Sequence, residues 1–399
     1  MVYARKIHRV RLGRYVIGMV LVIMVLGYIF FRDGGEQESE IIKEDEPIKI
    51  ALIRINQEGL THYGDMFLRG VQLMLDQING DGGIEGRSVE LLVFDDPCNG
   101  AVDNILREIT SHHKITMAIG PMCSSSALAL GPVFKKASLP AIMPTVTNPF
   151  IVHDGWVFRN IYNDDFQGQY LAFYAKKVLH LKRVAVLYEN STFGIRMRDT
   201  FTNEARKVGL EVVAITSYIK GCTDFEPQLK IISKKEPQAI FLAAHYEEGA
   251  IIAHQAQRMQ LRVNFLAPDT LAHPGLIEMG GDAVEGFLIC KPFLLDLEND
   301  KIKRFLDQFV DKFHEMPNWI AVNAYDAAGI AIAAIRKVGS NRQAIRRYLS
   351  RMNSPKRAYH GISGPIYFDK NGNCIKPISI ATIKGGRFVS APKQLPQSP

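Results

Sequence analysis

From residue 48 onward, runs of four to eight apolar residues alternate with stretches of helical periodicity, and the alternation occurs in two successive series. This pattern constrains the fold more than any other feature. Continuous apolar runs suit strands buried on both faces, and intervening helices are what cover a parallel sheet. In the first series "IKIALIRI" (48–55) is followed by a stretch with Phe67, Val71, Met74, Leu75 and Ile78 at helical spacing and Gly80 at the stop. "VELLVFDD" (89–96), a helix over about 99–112, "TMAIGP" (116–121), a helix over about 124–137 and "PAIMPTVT" (140–147) continue it. The second series has strands at 182–189, 210–218, 238–245, 264–269 and 285–293, with helices at 193–208, 225–235 and from 245 to near 260. Helices over about 301–314, 321–338 and 342–351 and the strand-turn segments "GPIYFDKNGN" and "ISIATIKGGRFV" close the chain. The expectation is an α/β protein of two lobes, each a mainly parallel sheet with helices on both faces and a ligand cleft between. The lobe boundaries are placed at 48–165 plus about 295–375, and at 166–294 plus about 376–392.

The N-terminus is of another kind. "YVIGMVLVIMVLGYIFF" (15–31) has 17 residues without a charge, about 26 Å of helix, at the short end of what spans a bilayer. Residues 1–14 are basic and 32–47 form an acidic linker. Basic residues before an apolar run favour a cytoplasmic N-terminus. A cleaved signal peptide is the competing reading, but the run exceeds a usual h-region. Tyr28, Ile29, Phe30 and Phe31 also occupy the place of a small-x-small cleavage site. The segment is therefore read as an uncleaved signal-anchor. It would fix a single-pass protein with its bulk on the far side of the membrane from the cytoplasm; with the family resemblance drawn below, that implies a bacterial inner membrane with the bulk in the periplasm or extracytoplasmic space.

The formal charge of +7 raises the question of nucleic acid. The surplus beyond residue 47 is spread thinly, with no Lys/Arg run of the kind a phosphate backbone selects. No nucleic-acid partner is expected.

In open α/β sheets ligands gather beyond the carboxyl ends of strands, where helix N-termini present free N–H groups. The candidates are the residues at those ends. "MCSSS" (122–126) lacks the flanking glycines of a G-x-S-x-G nucleophile elbow. Its serines either cap a helix or hold an anion such as a carboxylate. Asp269 could neutralise an ammonium or cap a helix. Tyr63, Phe193 and Tyr246 are each either cleft walls or ordinary packing. Cys98 and Cys123 each follow a strand of the first lobe, so their sulfurs could meet at one rim or remain two thiols. Cys222, Cys290 and Cys374 are an odd remainder. No phosphate-binding glycine loop or metal-ligand spacing occurs, and the adjacent His112 and His113 would diverge on a helix. No cofactor, metal or enzymatic activity is expected.

Taken in order, "IKIALI", "YGD", "INGDGGIEGR", "LLVFDDPCN", "IGPMCSSS", "PAIMPTVTNP", "RVAVLYENSTFG", "DFEPQLKII", "AVEGFLICKP" and "GPIYFDKNGN" resemble the type I periplasmic binding proteins of the leucine/isoleucine/valine-binding kind. The resemblance runs from about 48 to 389. It implies a two-lobed clamp closing over an amino acid or related carboxylate, which it passes to an ABC importer. An alternative is a sensor of the same fold read by a membrane partner. The resemblance also implies that Ser124 and Thr147 hold the ligand carboxylate, with a backbone group of Thr145. Tyr63 and Phe193 would flank the ligand, Asp269 would grip its ammonium, and Cys98–Cys123 would be a disulfide. Three features depart from the family pattern. Asp269 stands where a glutamate is usual, His245 with Tyr246 where a tyrosine is expected, and the loop "NQEGLTHYGD" lacks a serine-glycine pair.

Overall fold

The structure is a computed structural model that describes residues 46–394 except 59, 112–113, 152–153, 294–298 and 376–377. The expected anchor over 15–31, its basic flank, nearly all of the acidic linker and the His112–His113 pair lie outside the described residues. Among the described residues no helix is long and apolar enough to cross a membrane.

The first lobe begins with β1 (Ile48–Ile55), α1 (Thr61–Gly80), β2 (Val89–Asp96), α2 (Asp103–Ser111), β3 (Ile115–Ile119), α3 (Ser124–Lys136), β4 (Ala141–Met143) and β5 (Val157–Arg159). The five strands form a parallel sheet in the order β2-β1-β3-β4-β5. Along β1, Ile48, Ile50 and Leu52 enter one core while Ala51 and Ile53 enter another on the opposite face. This two-sided burial is why the strand reads as a continuous apolar run.

The second lobe contains α4 (Asp164–Lys177), β6 (Arg183–Glu189), α5 (Thr192–Val208), β7 (Glu211–Tyr218), α6 (Glu226–Ser233), β8 (Ala239–Ala243), α7 (Tyr246–Arg258), β9 (Asn264–Ala267), α8 (Pro274–Gly280) and β10 (Leu288–Lys291). The chain then returns to the first lobe through α9 (Asp300–Phe313), α10 (Trp319–Val338), α11 (Arg342–Arg351) and the hairpin β11 (Tyr359–Gly361) and β12 (Gly364–Ile366). Finally β13 (Ser379–Ile383) and β14 (Phe388–Ser390) join the second sheet, whose order is β14-β13-β10-β9-β8-β6-β7. Only the β10–β13 and β13–β14 pairings are antiparallel in it. The helix α10 packs on α1 at Gly70, where a Cβ would lie 2.2 Å from the Ala321 carbonyl oxygen. A side chain there would force the two helices apart.

Three sequence expectations need correction. The strand expected over 140–147 is only three residues long. Pro144 has no N–H to continue the ladder, so Thr145 and Thr147 lie on the loop beyond it. The expected helix over 99–112 begins instead at Asp103. The strands preceding Cys98 and Cys123 are not neighbours, because β1 lies between β2 and β3. The Cys98–Cys123 disulfide nevertheless forms across the end of β1, with Cα atoms 5.5 Å apart. Cys222, Cys290 and Cys374 form no disulfide.

At the first passage between lobes the Arg159 amide donates to Gly372 O at 3.0 Å, tying that passage to the last one. Asn160 donates to Asn323 O at 2.8 Å, and Asn323 donates to Pro144 O at 3.1 Å, all in fully buried surroundings.

Candidate functional site

Sheet order explains which residues gather at the cleft. Tyr63, Ser124 and Thr145 follow β1, β3 and β4, three neighbouring strands of the first lobe. Phe193, His245 and Asp269 follow β6, β8 and β9, three neighbouring strands of the second. Both walls are thus built from the carboxyl ends of parallel strands.

On the first wall α3 opens at Ser124, with Cys123 in the N-cap position. Cys123 supplies no side-chain cap, and its sulfur is held by Cys98, so the first N–H groups of the helix stay open. Such a terminus attracts an anion. The three serines divide the work. Ser125 donates to Cys98 O at 3.1 Å, and the fully buried Ser126 donates to Asp96 Oδ1 at 2.7 Å. That oxygen also accepts from the Cys98 amide at 2.8 Å. The Ser124 hydroxyl has no hydrogen-bond partner among the described residues.

The hydroxyl proton of Thr145 goes to Met122 O at 3.0 Å, which fastens this loop to the "MCSSS" segment. The Thr147 hydroxyl bonds the Asp164 carboxylate, and the Asp164 amide donates to Thr147 O at 3.0 Å. The backbone N–H groups of both threonines find no acceptor among the described residues. Arg159 clamps the same loop from behind. Its guanidinium is fully buried and donates to Val146 O at 3.0 Å and Asn148 O at 2.8 Å. Burial lowers its pKa to about 10. It remains a cation behind the proposed carboxylate site.

On the second wall Asp269 is recessed and held by neutral donors. Tyr162 donates to Oδ2 at 3.0 Å and Gln167 to Oδ1 at 3.1 Å. Burial and the nearby Asp164 carboxylate push Asp269 up to about 7, against the pull of those two hydrogen bonds. Burial raises Asp164 as well, and Thr147 and Arg159 oppose the rise. No ion pair to a cation neutralises Asp269 among the described residues. Tyr162, Asp164 and Gln167 were not identified from the sequence. They lie on or just before α4, whose segment "DDFQGQYLAFYAKK" shows no clear apolar stripe because it packs on α5 as well as on the sheet.

Two further groups complete the wall. The Phe193 and His245 rings lie 5.6 Å apart, and His245 Nε2 is 4.0 Å from Oε2 of the buried Glu189. Phe193 is placed by the close start of α5. Ser191 caps it through Gly194 N at 3.2 Å, and a Cβ on Gly194 would lie 2.0 Å from Glu189 O. Tyr246 stacks on His273 with ring centroids 4.1 Å apart, and His273 Nε2 lies 3.1 Å from Tyr63 Oη. The sequence reading missed His273; the "HPG" at 273–275, a side chain before a proline that can open a helix, was the available signal. Burial and Glu247 raise the Tyr63 phenol, and a hydrogen bond to Glu247 with burial takes Tyr246 to about 12.

Together these walls can receive an anion at the α3 terminus and a cation at Asp269. Among the described residues no cluster of His, Cys, Asp or Glu could hold a metal ion.

Comparison with known proteins bears on this geometry. Residues 47–387 match the family model described as periplasmic binding protein. The Leucine-, isoleucine-, valine-, threonine-, and alanine-binding protein of Pseudomonas aeruginosa is 25% identical over 296 residues, covering 74% of this chain and 79% of that protein. The leucine binding protein LivK of Thermotoga maritima has a similar structure, with TM-score 0.74 and 28% identity over 88% of this chain and 99% of that one. LivJ of Streptococcus pneumoniae, a branched-chain amino acid transporter substrate binding protein solved with isoleucine, gives TM-score 0.73 and 25% identity. It covers 86% of this chain and 97% of its own.

Proposed function

The chain belongs to the periplasmic binding protein family, and from that premise we propose that it captures an amino acid by closure of its two lobes and delivers it to an ABC importer. The family is one of extracytoplasmic binding proteins rather than enzymes. The observation that carries the ligand class is the pairing of opposite charge preferences across the cleft. The uncapped α3 terminus with the Ser124 hydroxyl and the Thr145 and Thr147 amides suits a carboxylate. Asp269, held only by neutral donors, suits an ammonium. A zwitterion satisfies both at once.

Docking on the first lobe precedes contact with Asp269 and Phe193 on the second. A ligand shifts the open–closed equilibrium only by its differential affinity for the two states. The second-lobe contacts supply that difference. Residues 15–31 would tether the clamp to the inner membrane, beside its permease. In this reading the first lobe comprises 48–165 with about 295–375 and the second 166–294 with about 376–392, the crossing lying close to the start of α4 at Asp164.

Calorimetric titration of ligand-stripped protein with amino acids and their deaminated analogues tests this reading. Binding of amino acids alone supports both half-sites; binding of the deaminated acids alone removes Asp269 from its role. Silence to both overturns the amino-acid reading. Co-purification of an ABC permease tests the delivery step. Mass spectrometry of the membrane-bound protein tests the anchor, since a mature N-terminus beyond residue 31 excludes it.

A further inference from the structure

His273 occupies a position that serves three neighbours at once. As the residue before α8 it caps that helix, and Gly275 N–H donates to its Nδ1 at 3.0 Å. An accepting Nδ1 carries no proton, so the proton of the neutral ring sits on Nε2. That nitrogen lies 3.1 Å from Tyr63 Oη and donates to it. Tyr246, at the start of α7, stacks on the ring at 4.1 Å and an interplanar angle of 20°, which fixes its tilt. Gly275 leaves room for this stack, because a Cβ there would lie 2.6 Å from the Tyr246 ring. The histidine is therefore held in tautomer, tilt and position by the second lobe before it meets the first.

Tyr63 belongs to the first lobe, near the start of α1, where it packs against the main apolar core. The His273–Tyr63 hydrogen bond thus joins the two lobes directly. We propose that His273 is a positioning residue for the clamp, a latch that donates to Tyr63 across the cleft and slows its reopening. This rests on the reading of the chain as a two-lobed clamp. A bond present only in the closed state weights that state, and the apparent affinity of a clamp scales with the fraction of molecules competent to hold the ligand. The latch acts through the lobes, without needing to touch the ligand.

The alternative role for His273 is capping alone, and the test separates the two. His273→Asn keeps a strong N-cap but loses the reach to Tyr63, and Tyr63→Phe removes only the hydroxyl. Spin labels on Lys136→Cys and Lys207→Cys, on exposed helix surfaces of the two lobes, report lobe separation in the full chain in a Cys222→Ser background. Without ligand, each variant shifts the distribution toward longer distances, and the double variant shifts it no further than either alone. With leucine as the probe, each variant raises the dissociation rate about two- to tenfold, the range of one hydrogen bond, with little change in association rate. Thermal midpoints stay with that of the wild type.

Unchanged distances, additive effects in the double variant, or a lowered thermal midpoint without a distance change would each overturn the latch. Leucine binding with an unaltered dissociation rate would do so as well. If leucine does not bind the wild type, the amino-acid reading loses support, while the ligand-free distances still decide the latch.

Discussion

Gln167 and Asp269 hold each other twice: the Gln167 side-chain N–H donates to Asp269 Oδ1 at 3.1 Å, and the Asp269 amide donates to Gln167 Oε1 at 3.0 Å. This reciprocal pair joins α4 to the turn after β9 and fixes the carboxylate through contacts within the protein. Pre-organisation lowers the ordering cost of binding.

The first prediction concerns pH. Burial and Asp164 hold Asp269 at about 7 in the ligand-free protein, whereas an ammonium beside it favours the ionised form. Amino-acid binding near pH 6 should therefore release up to one proton, and affinity should rise with pH up to about 7, by at most about tenfold per unit. Titration in buffers of different ionisation enthalpy reads the proton count. The stability of the ligand-free protein has the opposite slope. The native state keeps a proton that the unfolded chain has already lost above about pH 4, so this group makes stability fall as pH rises from about 4 to about 7. Asp269→Asn should abolish the binding dependence and reduce the stability slope, leaving the share of the buried Asp164, which is also raised; a variant keeping the full binding dependence would place that titration elsewhere.

Ser124→Ala should separate binding from folding. Its hydroxyl has no partner within the described protein, so unfolding free energy should change by less than about 0.5 kcal/mol. Affinity for a carboxylate ligand should fall about ten- to a hundredfold, the scale of one hydrogen bond to a charged group. Equal affinity in calorimetry would remove Ser124 from the site.

Loss of the Cys98–Cys123 bridge should cost both stability and affinity. Its sequence separation of 25 residues corresponds to about 3–4 kcal/mol in the chain-entropy account. The double serine variant should show a lower urea midpoint. Affinity should fall too, because Cys123 is the N-cap residue of α3 and Cys98 O accepts from Ser125. A variant that lost stability but kept full affinity would show that the α3 terminus is held by other contacts.

Gly194→Ala inserts a Cβ 2.0 Å from the Glu189 carbonyl oxygen. The start of α5 must move, at a cost of about 1–3 kcal/mol, and Phe193 moves with it. Lower urea resistance together with weaker ligand binding is expected. Normal stability with normal binding would mean that the loop absorbs the methyl group freely.

Much of the frame was written in local sequence. Strands buried on both faces need unbroken apolar runs, so β1, β6 and β8 were visible at once, and the stripe of Phe67, Val71, Met74, Leu75 and Ile78 marked the buried face of α1. Strand-end chemistry pointed to the serines at 124–126, Asp269, Tyr63, Phe193 and Tyr246, because a parallel sheet brings the carboxyl ends of its strands to one edge, and the family resemblance singled out Ser124 and added Thr145, Thr147 and His245. Local sequence could not tell what each of those groups would meet. The Thr147 hydroxyl turns to Asp164, Asp269 is held by Tyr162 and Gln167 from a helix about 100 residues away, and Tyr63 reaches His273 from the opposite lobe. The insertion of β1 between β2 and β3 likewise follows from no short-range pattern. Period and propensity act between neighbours in the chain and fix the elements. Hydrogen-bond partners and charge environments depend on separations of a few ångströms between distant segments, and only the packed tertiary structure sets those.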